Sequence, residues 1–385
     1  MHTQQLIRIF LHFLKLGCLS FGGPAAHLVF FHRHFVQQLR WLSDAEYAQL
    51  VALAQLLPGP TSSQVGIAIG YQLQGYRGAC AAWLGFTLPS MLLMACFAVL
   101  GQQYFNQLSA MTLHSIQLIV FAVVVWAFWQ MLTSFCKTIW QYVLMLLSTL
   151  FLYFVPWSFS QVIVIFVAAL VGIYFASDST SKLQDSSLKS KVQAKQTYLW
   201  LIAFVLPFVV FMVLHSSSSL FSQSLFSFYQ AASLVFGGGH IILPLLHQDF
   251  VVSHILSAEQ FDLGYALAQL MPGPLFSFAS YVWLNVVLAT LAIFLPSFFL
   301  IFATLPYWSW LMQQAAIRKA VIGINAAVVS LLLCLVIQMG QSYFKHWTDL
   351  VFVIAVILLL RTKLPIWLSL ILSFALYQLF FYFSG

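Results

Sequence analysis

The sequence predicts an all-α polytopic membrane protein of two homologous, inverted repeats with broken or re-entrant helices, about 12–13 spans long. Three observations carry that reading. The chain is 62% hydrophobic and 6% charged, with mean hydropathy +0.96, where a soluble domain carries about a quarter charged residues. Residues 42–60 read LSDAEYAQLVALAQLLPGP and residues 256–274 read LSAEQFDLGYALAQLMPGP, identical at 10 of 19 positions without a gap. Two flanking landmarks recur in the same order: Phe21-Gly22-Gly23-Pro24 and Phe236-Gly237-Gly238-Gly239 before these segments, Leu88-Pro89-Ser90 and Leu295-Pro296-Ser297 after them. Hydrophobic halves interrupted by Gly and Pro at matching places point to a transporter with its site between the repeats.

Candidate spans fall at 6–30, 47–71, 79–101, 112–135, 139–156 and 160–176, then at 198–214, then at 225–246, 262–285, 287–304, 319–339, 347–361 and 364–384. They divide the chain into a first repeat (1–176), a polar linker (177–197), a connecting span (198–214) and a second repeat (215–385). The linker sets Lys182, Lys189, Lys191 and Lys195 against Asp178 and Asp185 among many serines. That composition reads as flexible and cytoplasmic. If every candidate crosses from a cytoplasmic N-terminus, 12 of the 15 Lys and Arg lie inside, and Arg33, Arg40 and Lys345 lie outside. The single extra span then inserts the second repeat upside down, the architecture expected for alternating access because the two halves can exchange roles. The first ten residues show no secretory signal pattern.

Gly22 and Gly23 with Pro24, inside an apolar stretch, are foreign to a regular helix: Gly costs about 1 kcal/mol and Pro about 3 kcal/mol in a helix interior. A helix restarting at Pro24 presents free N–H groups and the positive end of its dipole, an anion site. A packing notch is the plainer alternative, and recurrence at Gly237, Gly238 and Gly239 favours the site. Pro58-Gly59-Pro60 and Pro272-Gly273-Pro274 break their helices outright. Hydroxyls follow them, Thr61, Ser62 and Ser63 in one half and Ser277 in the other, and Gln55 and Gln269 precede them at equivalent positions. Backbone N–H groups, hydroxyls and amides converging near the midplane suit a tetrahedral oxyanion, although Ser and Thr bonding back to the backbone would explain the hydroxyls alone. Gly66, Gly70, Gly75 and Gly78 read as helix packing; the second half lacks them, and its interval from Pro-Gly-Pro to Leu-Pro-Ser is 7 residues shorter.

Charged residues are scarce. Lys15 and Arg77 are the candidates to offset an anion's charge, against interfacial snorkelling as the ordinary alternative. His27, His240, Glu46 and Asp249 are the candidates for proton coupling; Glu46, like Asp44 and Asp262, also sits where acidic helix caps are common. No carboxylate stands clearly mid-membrane. Cys18, Cys80, Cys96, Cys136 and Cys334 lie in or beside apolar segments with no C-x-x-C pair and read as small hydrophobes. No metal, haem, flavin or nucleotide motif is visible, so no cofactor is expected and an enzyme is disfavoured. No basic, aromatic-interleaved soluble surface suggests nucleic acid.

On these residues the chain resembles the chromate ion transporter superfamily, long-chain two-domain type. The likeness rests on Phe21-Gly22-Gly23-Pro24, Leu57-Pro58-Gly59-Pro60, Gly75-Tyr76-Arg77-Gly78 and Leu88-Pro89-Ser90. In the second half it rests on Phe236-Gly237-Gly238-Gly239, Met271-Pro272-Gly273-Pro274 and Gly323-Ile324-Asn325-Ala326. The resemblance implies a secondary transporter of the bacterial inner membrane that exports chromate on the proton motive force and confers chromate resistance. Sulfate is the related oxyanion and protons the coupling ion, and the reading leaves room for a homodimer. The segment from Ser280 to Ile293, shortened and poor in glycine, is where the chain departs from the family pattern.

Overall fold

At each Gly- or Pro-rich break the chain turns back on itself. In the computed structural model, which describes residues 2–155, 160–177, 194–214, 219–283 and 285–384, these residues are mostly helical and include no strand. The linker expected at 177–197 falls mainly outside the described residues.

The first glycine break separates α1 (His2–Leu19) from α2 (Gly23–Phe31). The two legs lie side by side: Phe13 meets Phe31 and Phe35 at ring separations of 5.5 and 4.6 Å, and His12 meets His34 at 3.0 Å. The first Pro-Gly-Pro break separates α3 (Asp44–Leu56) from α4 (Thr61–Tyr104). Asp44, at the start of α3, bonds His32 at 2.7 Å, so α3 sets out from the level where the glycine hairpin ends. Helix α4 is folded in two at Gln74 and Gly75, whose backbone angles are not helical. A Cβ on Gly70 would stand 2.3 Å from the Gly78 carbonyl oxygen; on a straight helix these residues are roughly 12 Å apart. Gln74, at the fold, reaches Gln5 near the start of α1 at 2.6 Å. Arm 61–73 therefore returns to the face that holds the N-terminus, and arm 76–104 crosses to the far face.

The second repeat builds the same two hairpins from the far face. Helix α9 (Leu220–Leu234) lies beside the turn that follows α10 (Ile242–His247), with Phe228 stacked on Phe250 at 5.0 Å. Helix α11 (Ala258–Leu270) lies beside the short α12 (Ala279–Val282): Tyr281 fills the space where a Gly264 side chain would stand, and Phe261 meets Phe278 at 5.0 Å. The bases of these hairpins meet far-face groups, Phe221 on Trp283 and Tyr281 near Gly101 at the end of the crossing arm.

Packed around the hairpins are arm 76–104, α5 (Ala110–Phe135), α6 (Ile139–Phe154), α7 (Ser160–Phe175), α8 (Ala194–Leu214), α13 (Val286–Thr304), α15 (Ala315–Tyr343), α16 (Trp347–Leu360) and α17 (Ile366–Ser384). Among the described residues the helices within 61–101, 110–135, 286–307 and 315–343 are long and apolar enough to cross a membrane, and α6, α7, α8, α16 and α17 are shorter apolar helices. The short α14 (Trp308–Gln313) joins α13 to α15. Their directions follow from contacts. Gly172 and Gly323 let α7 and α15 touch, so that a Cβ on Gly172 would lie 2.4 Å from the Lys319 carbonyl oxygen. Tyr153 and Gln341 meet at 3.3 Å on the far face. Trp200 donates to Tyr76 at 3.1 Å on the N-terminal face. The outer surface is apolar, with Leu146, Leu150 and Phe154 of α6 and Val205, Val209 and Met212 of α8 exposed. So broad an apolar surface is built for lipid.

The expected broken, re-entrant helices and inverted halves are thus present, but two details of the sequence reading change. Stretches 6–30, 47–71, 225–246 and 262–285 are hairpins whose two legs lie side by side. Arg33 and Arg40, expected on the opposite side, share the N-terminal face with Arg8, Arg77, Lys137, Arg318, Lys319, Arg361 and Lys363, while Lys345 stands on the far face. We expect cysteines placed singly at Arg40, Arg77 and Arg318 in a background without native cysteine to react with an impermeant thiol reagent from one side, and a cysteine at Lys345 from the other. Labelling of the Arg40 position together with Lys345 would contradict the hairpins.

Candidate functional site: the meeting point of four hairpin tips

The four tips touch through two equivalent hydrogen bonds. The Gly59 N–H donates to the Val235 carbonyl at 2.7 Å, and the Gly273 N–H donates to the Ser20 carbonyl at 2.9 Å. Val235 and Ser20 are equivalent residues, each just before the Phe-Gly-Gly of its repeat. Each Pro-Gly-Pro tip therefore pairs with the glycine tip of the other repeat, about a pseudo-two-fold axis. The Leu-Pro-Ser landmarks complete the crossing: a Cβ on Gly59 would lie 2.6 Å from Ser297 Oγ, and one on Gly273 would lie 2.9 Å from Ser90 Oγ. Gly59 and Gly273 also have φ of +127° and +96°, so conformation and space both require glycine there.

Polar groups concentrate at this crossing. The hydroxyls of Ser20, Ser63, Thr87 and Ser297 are buried and have no hydrogen-bond partner among the described residues. Buried hydroxyls without partners are uncommon in proteins, and these four stand on the segments that meet at the crossing, where α2 with Pro24 in its first turn and α4 behind Pro60 begin. Other freed backbone groups are answered locally: Gln64 donates to the Pro58 carbonyl at 2.6 Å, and Ser277 Oγ donates to the Pro274 carbonyl at 2.8 Å.

The histidines cross-link the hairpins within each repeat. His27, 1% exposed, meets Ser62 Oγ at 3.2 Å. His240 meets the Tyr265 hydroxyl at 2.9 Å, and Gln269 donates to that hydroxyl at 2.8 Å. So Gly22, Gly23, Pro58, Gly59, Pro60, Thr61, Ser62, Gly237, Gly238, Gly239, Gln269, Pro272, Gly273, Pro274, His27 and His240 all lie at the tips or one turn behind them. Gln55 is near its tip but exposed, and Lys15 is exposed on α1 below the first glycine tip.

Three expected residues stand elsewhere. Arg77 lies exposed at the fold of α4, roughly 20 Å from Thr61 along the returning arm. Glu46 closes a capping box with Ser43 at the base of α3. Asp249 lies at the base of the second glycine hairpin, in a cavity of about 660 Å³ with Ser227 and Gln248; burial pushes its carboxyl up to about 6, against the hydrogen bond from Ser227.

Two features escaped the sequence reading. Ser134-Phe135-Cys136-Lys137 and Ser342-Tyr343-Phe344-Lys345 are a further repeated pair, placed after α5 and α15 on opposite faces, each leading into a capped helix start. On the N-terminal face, Ser134, Phe135, Lys137, Gln141, Ser177 and Asn325 line a cavity of about 340 Å³. Two of its lining residues, Phe135 and Asn325, are also the groups a Gly237 side chain would meet, so they stand between the cavity and the second glycine tip. The second feature is Asp262, read as a helix cap. It is 1% exposed and accepts a hydrogen bond from Tyr343, while Ser257 and Gln260 form the cap of α11.

Comparison with known proteins agrees with a two-repeat transporter. The family described as "Chromate transporter" matches residues 7–173 and 218–379. An uncharacterized transporter of Methanocaldococcus jannaschii is 27% identical over 97% of this chain and 94% of its own. Chromate transport proteins of Cupriavidus metallidurans and Pseudomonas aeruginosa are 28% and 26% identical, over 94% and 87% of this chain and 89% and 81% of theirs. No solved structure matches the chain.

The crossing predicts a specific mutational pattern. Gly59→Ala in detergent-solubilised protein is expected to lower stability by about 1–3 kcal/mol through its positive φ and the clash with Ser297. Adding Ser297→Gly should recover part of that loss, while Ser90→Gly, at the other crossing, should recover none. Equal rescue by both, read from thermal unfolding, would argue against the reciprocal pairing.

Proposed function

The chain belongs to the chromate transporter family, and from that premise we propose that it carries chromate outward across the bacterial inner membrane, driven by the proton motive force, with sulfate as the related oxyanion. The chain is a multi-pass membrane transporter rather than an enzyme. The observation that supports the oxyanion reading is the cluster of unpartnered hydroxyls on Ser20, Ser63, Thr87 and Ser297 at the crossing of the four tips. A tetrahedral dianion needs several donors converging from different directions. Hydroxyls and freed N–H groups supply them without placing a fixed positive charge mid-membrane, and in a low-dielectric site each such bond is strengthened.

The basic face is cytoplasmic on the positive-inside rule, which puts the N-terminus inside. The cavity beside Lys137 and Asn325 is then the cytoplasmic mouth, separated from Gly237 by Phe135 and Asn325. Lys15, on the leg that leads to the first glycine tip, offsets the anion's charge; Arg77, a helical arm away, serves at the surface. Because the repeats are inverted, the loop at Ser342–Lys345 forms the corresponding mouth on the periplasmic face.

Chromate uptake by inside-out vesicles tests the reading. Protein-containing vesicles with an imposed proton gradient should accumulate chromate, sulfate should compete, and a protonophore should abolish the accumulation. Ser63→Ala with Ser297→Ala should raise KM about tenfold, the loss of two hydrogen bonds to a charged group being moderated by water. Well-inserted protein that moves no chromate would overturn the proposal.

A further inference from the structure

Asp262 combines features that packing alone does not explain. It lies on α11, the first leg of the second Pro-Gly-Pro hairpin, and is fully enclosed. Its hydrogen bond comes from Tyr343, at the end of the crossing helix α15. The bond thus latches a re-entrant hairpin to the surrounding scaffold on the far face. Pro272 follows about 15 Å further along the same helical leg, so a change at the carboxyl is carried by a continuous helix to the tip at the crossing.

The first repeat shows what this position looks like without the latch. In the repeat alignment Asp262 corresponds to Ala48 and Tyr343 to Phe135. Ala48 is exposed, so the enclosed carboxyl belongs to the second repeat's own packing, and a carboxyl buried in a membrane protein is costly and marks a functional site by default. The other ionisable groups nearby are otherwise placed. Glu259 is one turn earlier on α11. Tyr265 is bonded to Gln269 and His240, and Tyr281 packs on Gly264. His114 of α5 pairs with Asp349 at 3.2 Å, and Tyr377 of α17 lies against His114. At this end of α4 Tyr104 and Cys96 are exposed. Lys345, two residues past Tyr343, gives its backbone N–H to Asp349.

We infer that Asp262, latched to Tyr343, is the site that binds and releases the coupling proton of transport. The step is a simple proton transfer. As carboxylate, Asp262 accepts a charge-assisted bond from the Tyr343 hydroxyl; on taking up the coupling proton it keeps only a neutral bond, about half as strong, and the hairpin is freed to move. Returning the proton restores the latch. This inference rests on the proton-driven reading above.

The test uses the full chain in proteoliposomes, as wild type, Asp262→Asn, Asp262→Glu and Tyr343→Phe. Chromate exchange without a gradient and chromate accumulation under an imposed pH gradient are measured side by side. The result expected is that Asp262→Asn retains exchange within about threefold while gradient-driven accumulation falls at least about tenfold. Asp262→Glu should restore accumulation, and Tyr343→Phe should keep it with a displaced pH profile. Accumulation by Asp262→Asn at the wild-type level would overturn the inference, as would an equal loss of exchange and accumulation, which marks a structural role. Wild-type exchange indifferent to the gradient overturns the proton site but leaves chromate transport standing; absence of both activities in wild type overturns the transport reading itself.

Discussion

In the hydrocarbon core no lipid can pair a backbone group that a broken helix leaves free, so every break must be buried in protein or line a polar cavity. This constraint organises the molecule. Four breaks occur where Gly and Pro forbid regular helix, and the N–H of Gly59 and that of Gly273 are each answered by the carbonyl before the opposite repeat's glycine tip. The tips cannot be separated without exposing these groups, and the repeats cannot slide without losing both bonds. The scaffold of crossing helices, with close contacts such as Gly172 on Gly323, holds the hairpins at the depth where they meet.

The same constraint explains how a site can be polar at the centre of a largely apolar chain. Hairpin tips bring backbone, hydroxyls and helix starts to the middle of the bundle while their legs remain apolar toward neighbours. The symmetry is incomplete. The first repeat returns from its Pro-Gly-Pro tip through a full helical arm and a turn at Gly75, whereas the second, seven residues shorter, returns through a four-residue helix, α12. The second repeat alone carries the enclosed Asp262–Tyr343 pair. Two halves that are alike in path and unlike in chemistry suit a carrier that must treat its two faces differently.

Much of this was legible in the sequence. The repeats, the breaks and most residues at the tips follow from Gly and Pro chemistry in apolar stretches. Direction was not legible, because hydropathy measures apolar length and is blind to a chain that doubles back: 47–71 is long enough to cross, yet Pro58-Gly59-Pro60 folds it in half. Arg33 and Arg40 held the missing signal. With the hairpins re-entrant they join the other described basic residues, and among those Lys345 stands on the far face. Asp262 was missed because an acidic residue near a helix start resembles a cap, and only tertiary structure shows that Ser257 and Gln260 already fill that role. The repeated Ser-aromatic-x-Lys loops could have been found by extending the repeat comparison past Leu-Pro-Ser.

The account depends most on an oxyanion being held where the four tips cross. The most direct measurement is an electron cryomicroscopy structure in lipid nanodiscs, with and without chromate. The account predicts chromate density within hydrogen-bonding reach of Ser20, Ser63 and Ser297, between the Gly59 and Gly273 tips. Chromate resolved only at the outer loops, with the crossing unchanged and empty, would contradict it.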